Sequence, residues 1–304
     1  MRNFLSLKEI NSNEFLTLIK SSLDIKKNPF KWSNYLTNKN IGLLFEKPST
    51  RTRISFEVAI NHLGGRAIIL KSDEIQLSRG ESIEDTAIVL GKYLDGVIAR
   101  VFSHDTLNIL SNYSKIPVIN ALSDKFHPCQ ALADFVTIYE NKEDLMKAKI
   151  CYLGDGNNNV CHSLILAAGL LKSNFVVSSP EKYKPDNSIV KYAESMGAKI
   201  EIISDPFEAV KNADVLYTDV WVSMGKEKEK EQRLKTFKNY QLNSNLLNLA
   251  DPNCIVLHCL PAYDGLEITK EVMYSNASRI FDQAENRLHS QKALLHFLYN
   301  AAEN

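Results

Sequence analysis

An α/β protein of two doubly wound parallel-sheet domains is the fold this sequence predicts, and three observations predict it. Short apolar runs alternate with amphipathic helical stretches from residue 41 onward. The alternation restarts after a polar break near 141–148. The length, 304 residues, is at the limit of what one hydrophobic core organises.

The elements follow in order. Residues 6–38 carry a helical pattern with one polar face. The apolar run 41–45 reads as a buried strand. A helix follows Pro48-Ser49, where Ile54, Val58 and the Phe56, Ile60, Leu63 set recur at helical spacing until Gly64-Gly65. Then come a strand at 66–70, a helix at 81–94, a strand at 96–101, a helix at 106–113, a strand at 117–122 and a helix at 127–141. The polar tract Asn141-Lys142-Glu143-Asp144 marks a boundary at about 145. Beyond it the pattern predicts strand 149–153, a helix from Val160, strand 174–179, helix 187–196 and strands 199–204, 214–219 and 254–259. One long amphipathic helix covers 284–301. The expected domains are 1–145, joined by the C-terminal helix 284–304, and 146–283, with helices linking the two.

Bulk properties exclude several function classes. Lysine plus arginine equals aspartate plus glutamate, 36 each, which argues against general nucleic-acid or membrane-surface binding. The start, Met1-Arg2-Asn3-Phe4-Leu5, lacks the apolar core of a signal peptide, and no apolar run is long enough to span a bilayer. Five cysteines, an odd number set mostly in apolar runs, read as reduced thiols of a cytoplasmic protein. No metal-ligand cluster and no redox cofactor is expected.

The chemistry concentrates at turns after strands. Ser49-Thr50-Arg51-Thr52-Arg53 sits at a strand-to-helix turn, with Ser49 placed to cap the helix. A helix start offers unbonded N–H groups and a partial positive charge. A solvated, well-capped helix start explains Ser49 and Thr50 but explains the two arginines badly, because cations there oppose the helix dipole unless an anion offsets them, and a phosphate fits best. Arg100 ends a buried-looking strand, where it serves either a structural salt bridge or a ligand's anionic or carbonyl group. His127 and Gln130, three apart at the next helix start, can face one ligand. Gly154-Asp155-Gly156 lacks the full dinucleotide spacing, and the three asparagines after it suit a carboxylate instead. Asp219 ends a strand and either caps the next element or holds an ammonium group. Cys259 ends another and is either a small buried side chain or a partner of that amine.

These segments resemble one family. Ser-Thr-Arg-Thr-Arg with Phe56-Glu57, His127-Pro128-x-Gln130, Asp219-x-x-x-Ser223-Met224-Gly225, His258-Cys259-Leu260-Pro261 and Glu285-Asn286-Arg287 are similar to the ordered motifs of the aspartate/ornithine carbamoyltransferases. The resemblance covers nearly the whole chain and leans to the ornithine branch. Putrescine members lack Ser-Met-Gly, and aspartate members carry arginines there and His-Pro-Leu-Pro in place of the cysteine motif. It implies transfer of a carbamoyl group from carbamoyl phosphate to the δ-amine of L-ornithine, giving L-citrulline and phosphate.

The resemblance also implies site residues. Carbamoyl phosphate would be met by Ser49, Thr50, Arg51, Thr52, Gln76, Arg100, His127, Gln130, Cys259, Leu260 and Arg287. Ornithine would be met by Leu122, Asn159, Asp219, Ser223 and Met224, with Asn159 preferred to Asn158 although the asparagine run leaves the alignment open by one. Arg100, His127, Cys259 and Asp219 would carry the chemistry. The implied assembly is a homotrimer or a multiple of it, with the loop 71–82 bringing Gln76 to a neighbour's site and the two domains closing over the substrates. The alternatives are a carbamoyltransferase for aspartate, putrescine or an acylated ornithine, a nucleotide-binding protein, or a non-catalytic homologue.

Overall fold

The computed structural model describes residues 2–142, 144–223 and 225–300, without the side chain of Glu227. It divides into two compact units, Met1–Val136 with Glu285–Asn304, and Thr137–Ala284.

The first unit contains α1 (Ser12–Lys27), β1 (Asn40–Phe45), α2 (Thr50–His62), β2 (Arg66–Lys71), α3 (Ile83–Tyr93), β3 (Gly96–Arg100), α4 (His104–Ser114), β4 (Val118–Leu122) and the start of α5 (Pro128–Asn141). Its sheet is parallel in the order β2-β1-β3-β4. From β1 the chain moves first to one neighbour and then to the other. The loops after β1 and β3 therefore flank a topological switch point, where parallel sheets bind ligands. Side-chain caps begin the helices: Ser49 for α2, Ser82 for α3 and Ser103 for α4 each accept a backbone N–H of the first turn.

The second unit contains β5 (Lys149–Leu153), α6 (Asn159–Leu171), β6 (Asn174–Ser178), α7 (Asn187–Ser195), β7 (Lys199–Ile202), α8 (Pro206–Ala209), β8 (Val215–Thr218), α9 (Lys230–Phe237), α10 (Ser244–Leu247), β9 (Ile255–His258), α11 (Lys270–Met273) and the start of α12 (Ile280–Asn300). Its parallel order is β7-β6-β5-β8-β9, with a switch point between β5 and β8. Strands β5, β8 and the edge strand β9 are buried except at Lys149, which is why they read as continuous apolar runs.

Two expectations are corrected. The helical pattern over 6–38 yields α1 only to Lys27, because Asn28-Pro29 stops it and turns follow. The last helix starts at Ile280, four residues before the expected 284, so Arg287 lies in its interior rather than at its opening. The early turn was hidden by Gln283, a polar residue at a fully buried position. Its carbonyl accepts the His258 N–H at 2.9 Å, and its amide donates to the Tyr217 hydroxyl at 3.2 Å.

Candidate active site

The anion-suited turn forms in the first unit. Ser49 has extended backbone, and its hydroxyl accepts the Thr52 N–H at 3.3 Å, which sets the start of α2. Thr52 is buried, Ser49 and Arg51 are half-buried, and Thr50 is exposed. Arg53 is exposed and lies 3.9 Å from Glu57 one turn on. Ser49, Thr50, Arg53 and Glu57 border a cavity of about 690 Å³ that also reaches Lys71 and Asp73.

Behind the turn is a buried network. Arg287 donates through Nη1 to Gln130 Oε1 at 2.6 Å and through Nη2 to Thr52 Oγ1 at 3.2 Å. Gln130 Nε2 in turn donates to Asp134 Oδ1 at 2.8 Å. Arg287, Gln130, Thr52 and Asp134 are all buried. Asp134 fixes which way the Gln130 amide faces, so its oxygen meets the guanidinium. One lone pair of that oxygen is engaged, and the second can accept from a ligand. Sequence reading missed Asp134, although it lies four residues after Gln130 on the same helix, where side chains meet.

Arg100 ends β3 at a bulge: the register with β4 steps from Ala99 opposite Asn120 to Arg100 opposite Leu122. Such a step re-aims the side chains beside it. Arg100 and His127 are buried, and Leu122 is half-buried. Burial, with Arg287 and Arg100 adding to it, pushes the His127 imidazole well below its ordinary value. His127 is therefore neutral at neutral pH and carries both a donor and an acceptor. Gln76 opens a 3-10 turn and is exposed, apart from this buried network.

The second unit builds a different site at its own switch point. Asp219 directly follows β8 and is buried. Its Oδ1 accepts the Val220 N–H at 2.7 Å and the Cys259 thiol at 3.0 Å, and its Oδ2 accepts Asn158 Nδ2 at 3.3 Å. Burial raises the Asp219 carboxyl above its ordinary value, against the opposing pull of His258 and of the Cys259 and Val220 hydrogen bonds. That carboxylate would gain from a cation brought to it.

The asparagine run divides its work. Asn158 caps α6, with Oδ1 accepting the Cys161 N–H at 2.7 Å, while Nδ2 also donates to the Tyr152 hydroxyl at 2.7 Å. Its polar atoms are thus committed to structure. Asn159, the first residue of α6, is half-buried. Ser223 is half-buried, and Met224 lies outside the described residues.

His258 shapes the loop after β9. Its Nδ1 accepts the Leu260 N–H at 2.8 Å, so the ring proton sits on Nε2, 3.0 Å from Glu267 Oε1. Glu267 also accepts the Tyr263 N–H at 2.7 Å. This holds Leu260 at a φ of 59°, an unusual conformation for a leucine. Asp219, His258 and Cys259 bring one potential metal-ligand atom each within 4.8 Å. Both nitrogens of His258 are engaged by protein, which leaves a hydrogen-bonded set rather than an open chelate. Glu267 and Gln283 carried no motif signal in the sequence; only burial of polar residues marks them.

Fold and geometry define an α/β protein with an anion-suited helix start in one unit and a buried, hydrogen-bonded carboxylate in the other. The model of the aspartate/ornithine carbamoyltransferase carbamoyl-P binding domain matches residues 2–140, and that of the Asp/Orn binding domain matches 146–298. The chain belongs to the aspartate/ornithine carbamoyltransferase family. It is 51% identical over 297 residues to the ornithine carbamoyltransferase of Archaeoglobus fulgidus, covering 97% of this chain and 96% of that one. Among solved structures, the ornithine carbamoyltransferase of Pyrococcus furiosus superposes with a TM-score of 0.91 at 47% identity, covering 97% and 96% of the two chains. The anabolic enzyme of Campylobacter jejuni gives 0.93 at 42% identity, covering 99% and 100%.

Proposed function

We infer that the protein is an ornithine carbamoyltransferase, converting carbamoyl phosphate and L-ornithine to L-citrulline and phosphate. The observation that carries this reading is Asp219: a buried carboxylate after β8, bonded to Cys259, where a cationic amino acid gains a partner and a dicarboxylate would meet repulsion. Family membership supports it, as does the agreement among relatives near 50% identity.

In this reading the first domain, 1–145 with the C-terminal helix, holds carbamoyl phosphate. The phosphate lies on the α2 start, met by Ser49, Thr50, Arg51, Thr52 and Arg287. Thr52, Arg100 and neutral His127 surround the carbonyl oxygen and stabilise the charge it gains. The second oxygen lone pair of Gln130 and the carbonyls near Cys259 and Leu260 suit the carbamoyl NH₂. The second domain, 146–283, holds ornithine through Asn159, Asp219, Ser223 and Met224, with Leu122 supplying apolar contact. Only the neutral δ-amine is a nucleophile. Its free pKa resembles that of lysine, about 10.4, so the rate rises with pH above neutrality. Nitrogen attacks the carbonyl carbon, the bond from that carbon to the phosphate oxygen breaks, and phosphate leaves with the proton that the attacking amine gives up.

Initial rates of product formation with ornithine, aspartate, putrescine and N-acetylornithine test this. Citrulline formed far faster than the other products supports it. Preference for another amine, or no carbamoyl transfer at all, overturns it.

The chain assembles in this reading as a trimer, with Gln76 donated between copies. Exposed Ile54, Ile88, Val89 and Tyr93 on α2 and α3 offer apolar surface for such contacts. A monomeric mass by light scattering at assay concentration argues against it. Five unbridged cysteines suit a cytoplasmic location, which cell fractionation checks. Among the described residues, no helix is long and apolar enough to cross a membrane.

A further inference from the structure

Arg233 lies in α9, outside every motif above, yet its side chain is only 5% exposed. It joins three segments of the second unit. Its Nη1 donates to Asp155 Oδ2 at 2.7 Å and to the Trp221 carbonyl at 3.0 Å, and its Nε donates to Glu229 at 3.0 Å. The Tyr183 ring lies 4.9 Å from the guanidinium carbon. A buried guanidinium costs free energy unless its partners are well placed, and Asp155 is as buried as Arg233.

The positions of the partners give this bolt its meaning. Asp155 sits in the turn after β5, where its Oδ1 accepts the Asn157 N–H at 3.0 Å, immediately before Asn158 and Asn159. Trp221 lies midway between Asp219 and Ser223, with its ring buried beside Tyr183, Phe237 and Tyr240. One side chain therefore ties the middle of the loop after β8 to the turn that opens α6. The planar fork matters, because a lysine ammonium on a flexible stem does not fix several acceptors in one plane.

We propose that Arg233 is a positioning residue for the amino-acid substrate, holding the Asp219 to Ser223 loop against the turn after β5 so that the groups expected to grip ornithine keep their spacing. The inference rests on the reading of the second unit as the ornithine site.

The test uses Arg233→Lys, Arg233→Met and Asp155→Asn in the full-length protein. Norvaline, an ornithine analogue without the reactive amine, is titrated at saturating carbamoyl phosphate, and carbamoyl phosphate is titrated alone. Misplacing a grip by about 1 Å weakens it strongly, so the norvaline Kd and ornithine KM should rise about tenfold to a hundredfold, while the carbamoyl phosphate Kd moves by less than about twofold. The methionine variant should be affected more than the lysine variant. Arg233→Met risks misfolding, in which case Arg233→Lys and Asp155→Asn decide by the same two titrations. Unchanged norvaline binding in folded variants overturns the proposal. So does equal weakening of both ligands, which marks a general loss of structure. Failure of the wild-type protein to bind norvaline overturns the site reading itself, and is told apart because it needs no substitution.

Discussion

Replacing Asp219 with asparagine should separate function from stability. The carboxylate accepts hydrogen bonds from Val220, Cys259 and Asn158, and burial disfavours its charge. Asparagine keeps the shape and removes that charge. Its amide oxygen can still accept from Val220, but its NH₂ then faces the Asn158 amide donor. Hydrogen bonds to charged groups contribute about 1.5–3 kcal/mol. Loss of the ammonium partner should therefore raise the ornithine KM about tenfold to 150-fold, at about 1.4 kcal/mol per tenfold. Stability should move the other way. A carboxyl whose folded pKa is raised stabilises the fold while protonated, and that contribution is lost as pH rises through the folded value. The Tm of the variant minus that of the wild type should then be larger at pH 8 than at about pH 4, near the ordinary aspartate value where the loss begins. Initial rates against ornithine and thermal scans at the two pH values are the assays. An unchanged ornithine KM refutes the ammonium-binding role. A Tm difference that shrinks toward pH 8 refutes the conclusion that burial outweighs the hydrogen bonds to this charge.

Arg100→Ala removes a donor aimed at the developing oxyanion, so kcat should fall about 10²–10³-fold with the chain still folded by circular dichroism; a variant within a few-fold of wild type makes Arg100 structural. Asp134→Asn can turn the Gln130 amide and present its NH₂ to Arg287, so calorimetry should show weaker carbamoyl phosphate binding with norvaline-site residues untouched. Unaltered affinity would mean that Arg287 holds its pose without the relay. His127 is held below its ordinary value, so the unfolded chain binds its proton first, and stability is lost as pH falls from about 6.5 toward the folded value. His127→Asn should flatten the decline of Tm over that window, and an identical decline would place the acid sensitivity in other buried groups.

The sequence exposed the strands and the turn chemistry well, because both are local. The 149–153 run became β5 with the same bounds, and Ser49 caps α2 as its position before Thr50 suggested. Asp219 and Cys259 could be read as ends of apolar runs suited to an amine; that their side chains hydrogen-bond depends on β8 pairing with β9, a contact between residues forty apart in sequence. The same limit hid the hydrogen bonds that Arg287 makes to Gln130 and Thr52, which lie 157 and 235 residues away. Arg233 carried no motif signal, since charge pattern alone cannot reveal that one cation of a charged stretch turns inward to Asp155. The β3–β4 bulge at Arg100 left no sequence mark, because either register satisfies two buried strands.

The central claim is that this chain holds carbamoyl phosphate and ornithine together for direct transfer. Calorimetry with a bisubstrate analogue, a phosphonoacetyl group on the δ-nitrogen of ornithine, tests it most directly. The account predicts binding at least about a hundredfold tighter than either substrate alone, as expected for a ligand resembling the transition state, with the aspartate-based analogue far weaker. An ornithine-based analogue that binds no better than carbamoyl phosphate, or less well than its aspartate counterpart, would contradict it.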